Sequence, residues 1–238
     1  MISHFEMLSD WQWYRRRGGS DRKSTEVFFR HWIPMLAPAT PHIAEEFWSK
    51  VGNQDMVSEH IISNISELED DIIHIAKEQY LRDLIDSSRN VKGLASRHSE
   101  VAISKCIIQT SPKWKNDIAI EALSLSVENF DFKRNGMNHV KSLEVFGVEK
   151  LRGEVIQTWQ SFTTGNKKTR GKIHTWSEAE KSLINLKFNE TEFINKNADF
   201  IAYSLSIDNV FSYDVGDGDD VAGKARVSSP LNPGIAFI

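Results

Sequence analysis

Through the first hundred residues the apolar side chains return every three or four positions, and past residue 100 that period breaks. A spacing near 3.6 marks one face of a helix, so the opening part is committed to packed helices. Ile2, Phe5, Leu8, Trp11 and Tyr14 form the first stripe, closed by Arg15-Arg16-Arg17 and Gly18-Gly19. Cations meet the negative end of the helix dipole there, and glycine accepts the left-handed cap. The second stripe is Val27, Phe28, His31, Trp32, Met35 and Leu36, with Pro34 as a kink or early stop. Thr40 then caps a short helix that has Pro41 at its first position, where a missing N–H costs nothing. That helix, Pro41 to Lys50, places Ile43, Phe47 and Val51 on one face, and Trp48 belongs to its core. Ser66 and Glu69 form a capping box that opens a long helix carrying Leu68, Ile72, Ile75, Tyr80, Leu84 and Ile85. Four antiparallel helices joined by short links would bury these stripes as a bundle.

Val101 to Thr110 is β-branched and partly alternating, which predicts a strand. Ser111-Pro112 starts a helix through about Asn129, with more helix near Met137 to Phe146 and Val148 to Phe162. Residues 163–172 are polar, basic and punctuated by glycine, hence an exposed loop. Thr175 with Glu178 reads as a second capping box, and Phe193 to Ile207 supports one further helix. Strands are expected at Asn209 to Val215 and Gly234 to Ile238. The expected fold is mainly α with a small α/β part. A helical bundle over residues 1–97 is followed by a small mixed α/β domain over 98–238.

The chain of 238 residues carries 29 Lys and Arg against 33 Asp and Glu, a net charge of −4. A general nucleic-acid coat draws its affinity from phosphate neutralisation, so any RNA must be met by local basic patches. One cysteine, Cys106, excludes an internal disulfide and suits the reducing cytoplasm. Its apolar strand makes it an inert core thiol. No window approaches the ~18 consecutive apolar residues of a membrane span, and the opening MISHFEMLSDW lacks the pattern of a secretory leader. Gly218 to Ala225 nearly matches a phosphate-binding loop, but the metal-binding hydroxyl is replaced by Ala225 and two aspartates occupy the cradle. His42 beside Glu45 and Glu46 lacks the further ligands of a zinc site, so a packing or capping histidine is expected. No catalytic constellation is visible. The candidates for phosphate contacts are Arg15, Arg16, Arg17, Lys113, Lys115, Lys167, Lys168, Arg170, Lys172, Lys224 and Arg226. Trp114, held between two cations, is a candidate stacking platform. Pro230 and Pro233 restrict a tail that could present Ile235, Phe237 and Ile238 as a fixed edge, the bland reading being a strand that completes a sheet.

One stretch is more specific. Met35-Leu36-Ala37-Pro38 followed by Pro41-His42-Ile43-Ala44-Glu45-Glu46-Phe47-Trp48 resembles the element that marks the helical anticodon-binding domain of class I synthetases for leucine, isoleucine, valine and methionine. Asp10 to Arg17, Ser111-Pro112-Lys113-Trp114-Lys115 directly after a strand, and Gly223 to Ile238 are similar to stretches of the leucyl-tRNA synthetases of archaeal and eukaryotic type, in the same order. Pro34, Asn232 and Gly234 depart from that family's pattern, and residues 116–210 match it loosely.

The resemblance implies a tRNA-binding, C-terminal portion of such a synthetase. Its partners would be leucine tRNA, recognised through the long variable arm, and the remainder of the synthetase with its catalytic and editing domains. No membrane and no DNA partner is expected. This chain has no adenylate-forming signature, so it would hold no cofactor, and ATP and Mg would be handled in the full-length ligase. By the same comparison Met1 is expected to fall in mid-domain, as in a deliberately cut piece or a truncated reading frame. The rival expectation is a free-standing helical module that docks on a protein and binds no RNA.

Overall fold

The computed structural model describes residues 4–60, 72–98, 103–128, 130–165, 170–214, 220, 223–224 and 226–238. Contacts divide the chain into two compact units, Met1–Glu69 and Asp70–Ile238.

The first unit contains α1 (His4–Arg16), α2 (Arg22–Leu36), α3 (Pro41–Lys50) and a 3-10 turn, Val57–Glu59. Gly18 adopts the left-handed cap that the sequence asks for, at φ 86°. Asp21 caps α2 by accepting from the Ser24 amide at 2.7 Å. Pro34 lies inside α2, which runs two residues further and ends at Leu36. A proline in a last turn deletes one hydrogen bond and leaves almost no helix to disturb. The core here is Ile33, Ala44, Trp48 and Val57, as expected for Trp48. The expected stripe Ile43, Phe47, Val51 is instead 49%, 38% and 47% exposed. The buried face of α3 is rotated by one residue onto Ala44 and Trp48, because the large indole and the small alanine together allow close approach. Glu45 is engaged within the first unit. Its carboxylate accepts from the amides of Val57 at 2.9 Å and Ser58 at 3.4 Å and so caps the 3-10 turn.

The second unit opens with α4 (Ile72–His98) and continues through β1 (Lys105–Gln109), α5 (Lys113–Val127), α6 (Gly136–Ser142) and α7 (Arg152–Thr163). After α8 (Glu178–Asn185), α9 (Glu190–Lys196) and α10 (Ala198–Leu205) come β2 (Asn209–Tyr213) and β3 (Gly234–Phe237). The sheet order is β2-β1-β3. The central strand runs parallel to β2, pairing Cys106 with Val210, and antiparallel to β3, pairing Cys106 with Phe237. Cys106 is fully buried, and desolvation pushes its thiol up to about 12, the inert group expected. Ile118, Ala122, Val155, Trp159, Phe162, Trp176 and Ile184 make the main core.

Several boundaries differ from expectation. The fourth helix expected of a bundle, α4, belongs to the second compact unit. Ala76, Tyr80, Leu81, Leu84 and Ile85 of α4 are buried, and the helix packs on α8, α10 and β3. Tyr80 donates to Glu190 at 2.8 Å and Lys92 to the Leu205 carbonyl at 2.6 Å. Ile72 and Ile75, expected on that stripe, are 50% and 57% exposed. The compact unit therefore begins at Asp70, whereas a division at 97/98 follows the change of period; a period reports an element's shape, not its packing partner. The capping box is Ser177 with Glu180, two residues later than expected, because the Thr175 hydroxyl is spent on the Lys172 carbonyl at 2.9 Å. The single helix expected over Phe193 to Ile207 is split at Asn197, whose side chain donates to the Phe193 carbonyl at 2.7 Å. The capping box at Ser66 and the basic pair Lys167 and Lys168 lie outside the described residues. Among the described residues no helix is long and apolar enough to cross a membrane.

Candidate nucleic-acid interface

The cations chosen from the sequence fall into distinct settings. In the first unit Arg15 donates to the Gly19 carbonyl at 2.9 Å, which ties the helix end to its own loop. Arg16 lies over the Trp13 ring at 5.6 Å, and Arg17 follows α1 directly. In the second unit Pro112 sits before the first turn of α5 with extended backbone, so three successive side chains diverge there. Lys113 is exposed and Trp114 packs half-buried against the main core. Lys115 turns inward to 5% exposure, where its ammonium donates to the carbonyls of Ser228 at 2.7 Å and Arg226 at 3.0 Å. Burial lowers its pKa most, Glu154 opposes that shift, and the charge of Lys172 adds to it. Lys115 therefore anchors the segment before the tail rather than facing solvent.

Two neighbouring clefts lie beside α7. Gln157, Gln160 and Ser161, three and four positions apart, share one exposed face of that helix. With Arg170, Lys172 and Thr175 they line a cleft of about 690 Å³. A second cleft of about 340 Å³ shares Gln157, Ser161 and Lys172, and is closed by Lys115, Arg226, Ser228 and Ser229. Among the described residues that line the two clefts, Glu154 is the one carboxylate. Lys172 donates to the Ser229 hydroxyl at 2.6 Å and stands 5.9 Å from the centre of the Phe162 ring; desolvation lowers its pKa. Gly171 makes this wall, because a Cβ there would collide with the Thr163 and Phe162 carbonyls. The structure thus places Arg170 and Lys172 on the first cleft and Lys115, Lys172 and Arg226 on the second, with Lys172 common to both. Lys224, half-buried, lies outside them, with its amide donating to Asp220 at 2.6 Å.

The tail is a strand. Ile235 is 9% exposed and pairs with Ile108, while the Ile238 amide donates to the Lys105 carbonyl at 3.0 Å. Phe237 is half-buried, so of the three tail residues only Ile238, at 66% exposure, is presented to solvent.

A separate crevice of about 240 Å³ opens at the carboxyl ends of the parallel pair β1 and β2, lined by Lys113, Asn116, Lys187 and Glu190 among others. Glu190 accepts from Tyr80 and, at 3.1 Å, from the Leu231 amide. No group of three metal-ligating side chains occurs among the described residues. Sequence reasoning missed Gln157, Gln160 and Ser161, since an exposed polar helix face carries no signal of its own. It missed Glu190 because nothing local distinguishes a buried carboxylate from a solvated one.

The profile of the anticodon-binding domain of tRNA ligase matches residues 4–107, so it reaches past the division between the compact units. The chain is similar to a leucine–tRNA ligase of Methanococcus maripaludis strain C7, 26% identical over 98% of this chain and 21% of that protein. The leucine–tRNA ligase of Methanocaldococcus jannaschii is 24% identical over 97% of this chain and 21% of its own length. Leucine–tRNA ligase 1 of Sulfolobus acidocaldarius is 27% identical over 86% of this chain and 19% of its own. The chain spans about a fifth of the length of these curated relatives.

Proposed function

We propose that this chain, similar over nearly its whole length to about a fifth of the archaeal leucine–tRNA ligases, is a tRNA-binding part of such an enzyme. It holds leucine tRNA by the long variable arm, while leucylation with ATP is carried out by a catalytic core that is not in this sequence. The remainder of the ligase is then its second partner. The observation that supports this most is the pair of clefts along α7, where Lys172 is shared and Arg170 and Arg226 each line one. In a chain of net charge −4, attraction for a phosphate backbone has to be concentrated in such a place.

The test is a salt titration of the binding of leucine tRNA and of a tRNA with a short variable arm. Arg170→Ala and Arg226→Ala should weaken both RNAs and each lower the salt slope by roughly 0.7 to 0.9, one phosphate contact apiece. Affinity that is independent of salt, or unmoved by both substitutions, would remove the clefts from the interface. A docking role has one observation in its favour, the exposed apolar face Ile43, Phe47 and Val51 on α3. Phe47→Ser should leave the salt slope unchanged, which separates the two surfaces.

A further inference from the structure

Alternation along the strands gives the sheet of the second unit two unlike sides. Cys106, Ile108, Val210 and Ser212 point to one side and are buried, and α9 and α10 pack on β2 there. Phe211 and Tyr213 point to the other side and are 41% and 40% exposed. The register of β1 with β2 sets Lys105 opposite Asn209 on that same open side, and both are exposed. Among the described residues neither ring stacks on another aromatic ring. The Lys105 ammonium, the Asn209 amide and the Tyr213 hydroxyl likewise have no hydrogen-bond or ionic partner among them. On β3 this side carries Ala236 and Gly234, so no acidic side chain stands on it from any of the three strands. Lys224 lies against Gly234 and closes that end.

We propose that the open side of this sheet is a stacking platform for unpaired nucleotides of RNA, one base on Phe211 and the next on Tyr213, with Lys105 and Asn209 meeting the backbone beside them. Positions two apart on a strand are separated by about 6.8 Å, so each ring can carry its own base. Every base has a flat face, and an aromatic ring with a cation near it suits a single strand whose bases are splayed out. A protein partner fits less well. It would bury the Lys105 ammonium together with the rings, and the cores of protein interfaces are depleted of lysine, whereas a phosphate backbone takes that charge as its counterion. The platform deepens the RNA-binding reading and rests on it, but it uses none of the cleft residues along α7.

The experiment measures binding of the full chain to leucine tRNA, to a short unpaired oligonucleotide and to a blunt duplex of the same length. Phe211→Leu and Tyr213→Leu should each weaken the oligonucleotide and leucine tRNA roughly tenfold, leave the duplex alone, and keep the salt slope. Tyr213→Phe keeps the ring and should bind like the parent. Lys105→Gln should lower the salt slope on the oligonucleotide by roughly 0.7, one phosphate contact. Circular dichroism checks the fold of each variant, and Tyr213→Phe and Lys105→Gln test the platform even where a leucine variant fails to fold. Leucine tRNA that binds the parent and both leucine variants alike overturns the platform, leaves the RNA reading intact and gives the face to a protein partner. Equal losses on duplex and unpaired RNA also overturn it, since stacking needs free bases. No binding of any RNA overturns both readings.

Discussion

The Glu190 carboxyl accepts hydrogen bonds from Tyr80 and Leu231, both of which favour its charged form, yet it is 5% exposed. Desolvation outweighs them and pushes the group from 4.5 to about 7, with Asp214 adding to the rise. A carboxyl whose folded value is raised makes the native state bind more protons than the unfolded chain between those two values. Stability should then be greatest below about pH 4.5 and fall as pH rises towards about 7, by something of the order of 3 kcal/mol from this group. Glu190→Gln should flatten that part of the profile when denaturant midpoints are compared across pH; a difference between variant and parent that does not change with pH would show the shift is absent. Trp48 makes a second residue-scale case. At 2% exposure, with its indole N–H on Asp55 at 3.2 Å, Trp48→Ala should cost about 3 to 5 kcal/mol, read as a lowered thermal midpoint.

Among the elements, the segment before the tail is fixed by a close backbone approach. A Cβ at Gly234 would overlap Lys224, so the glycine lets residue 224 cross directly over the start of β3. Gly234→Ala should push that segment outward and cost about 1 to 3 kcal/mol, measured by denaturant midpoint. A neutral result would show that the loop yields freely. The sequence made the helices of the first unit legible because their periods are regular and because Gly18 and Pro41 mark two of their ends; the Asp21 cap was not read from it. It showed β1, β2 and β3 to within a few residues, because β-branched runs bounded by Pro112 and Gly234 have few other uses. What stayed hidden depends on tertiary contacts. Nothing local to Tyr80 says that it meets Glu190, and nothing local to Lys115 says that it points inward while Lys113 points out. Thr175 and Ser177 both satisfy the capping spacing, and only the turn before α8 decides between them.

For the molecule as a whole, the placement of α4 decides which pieces can stand alone. Tyr80, Leu81, Leu84 and Ile85 are buried within the second unit, and four such side chains contribute roughly 6 to 12 kcal/mol, comparable to the whole stability of a typical domain. A piece starting at Asp70 should therefore unfold cooperatively in a calorimeter, whereas one starting at residue 98 should show no transition. A clear transition in the shorter piece would mean that α4 is dispensable. The fully buried thiol on the central strand bears on how such experiments can be read. A thiol reacts as thiolate, and at about 12 the folded protein offers almost none, so alkylation has to wait for β1 to come free of its neighbours. With a single cysteine in 238 residues, the rate of labelling becomes a clock for openings of the second unit.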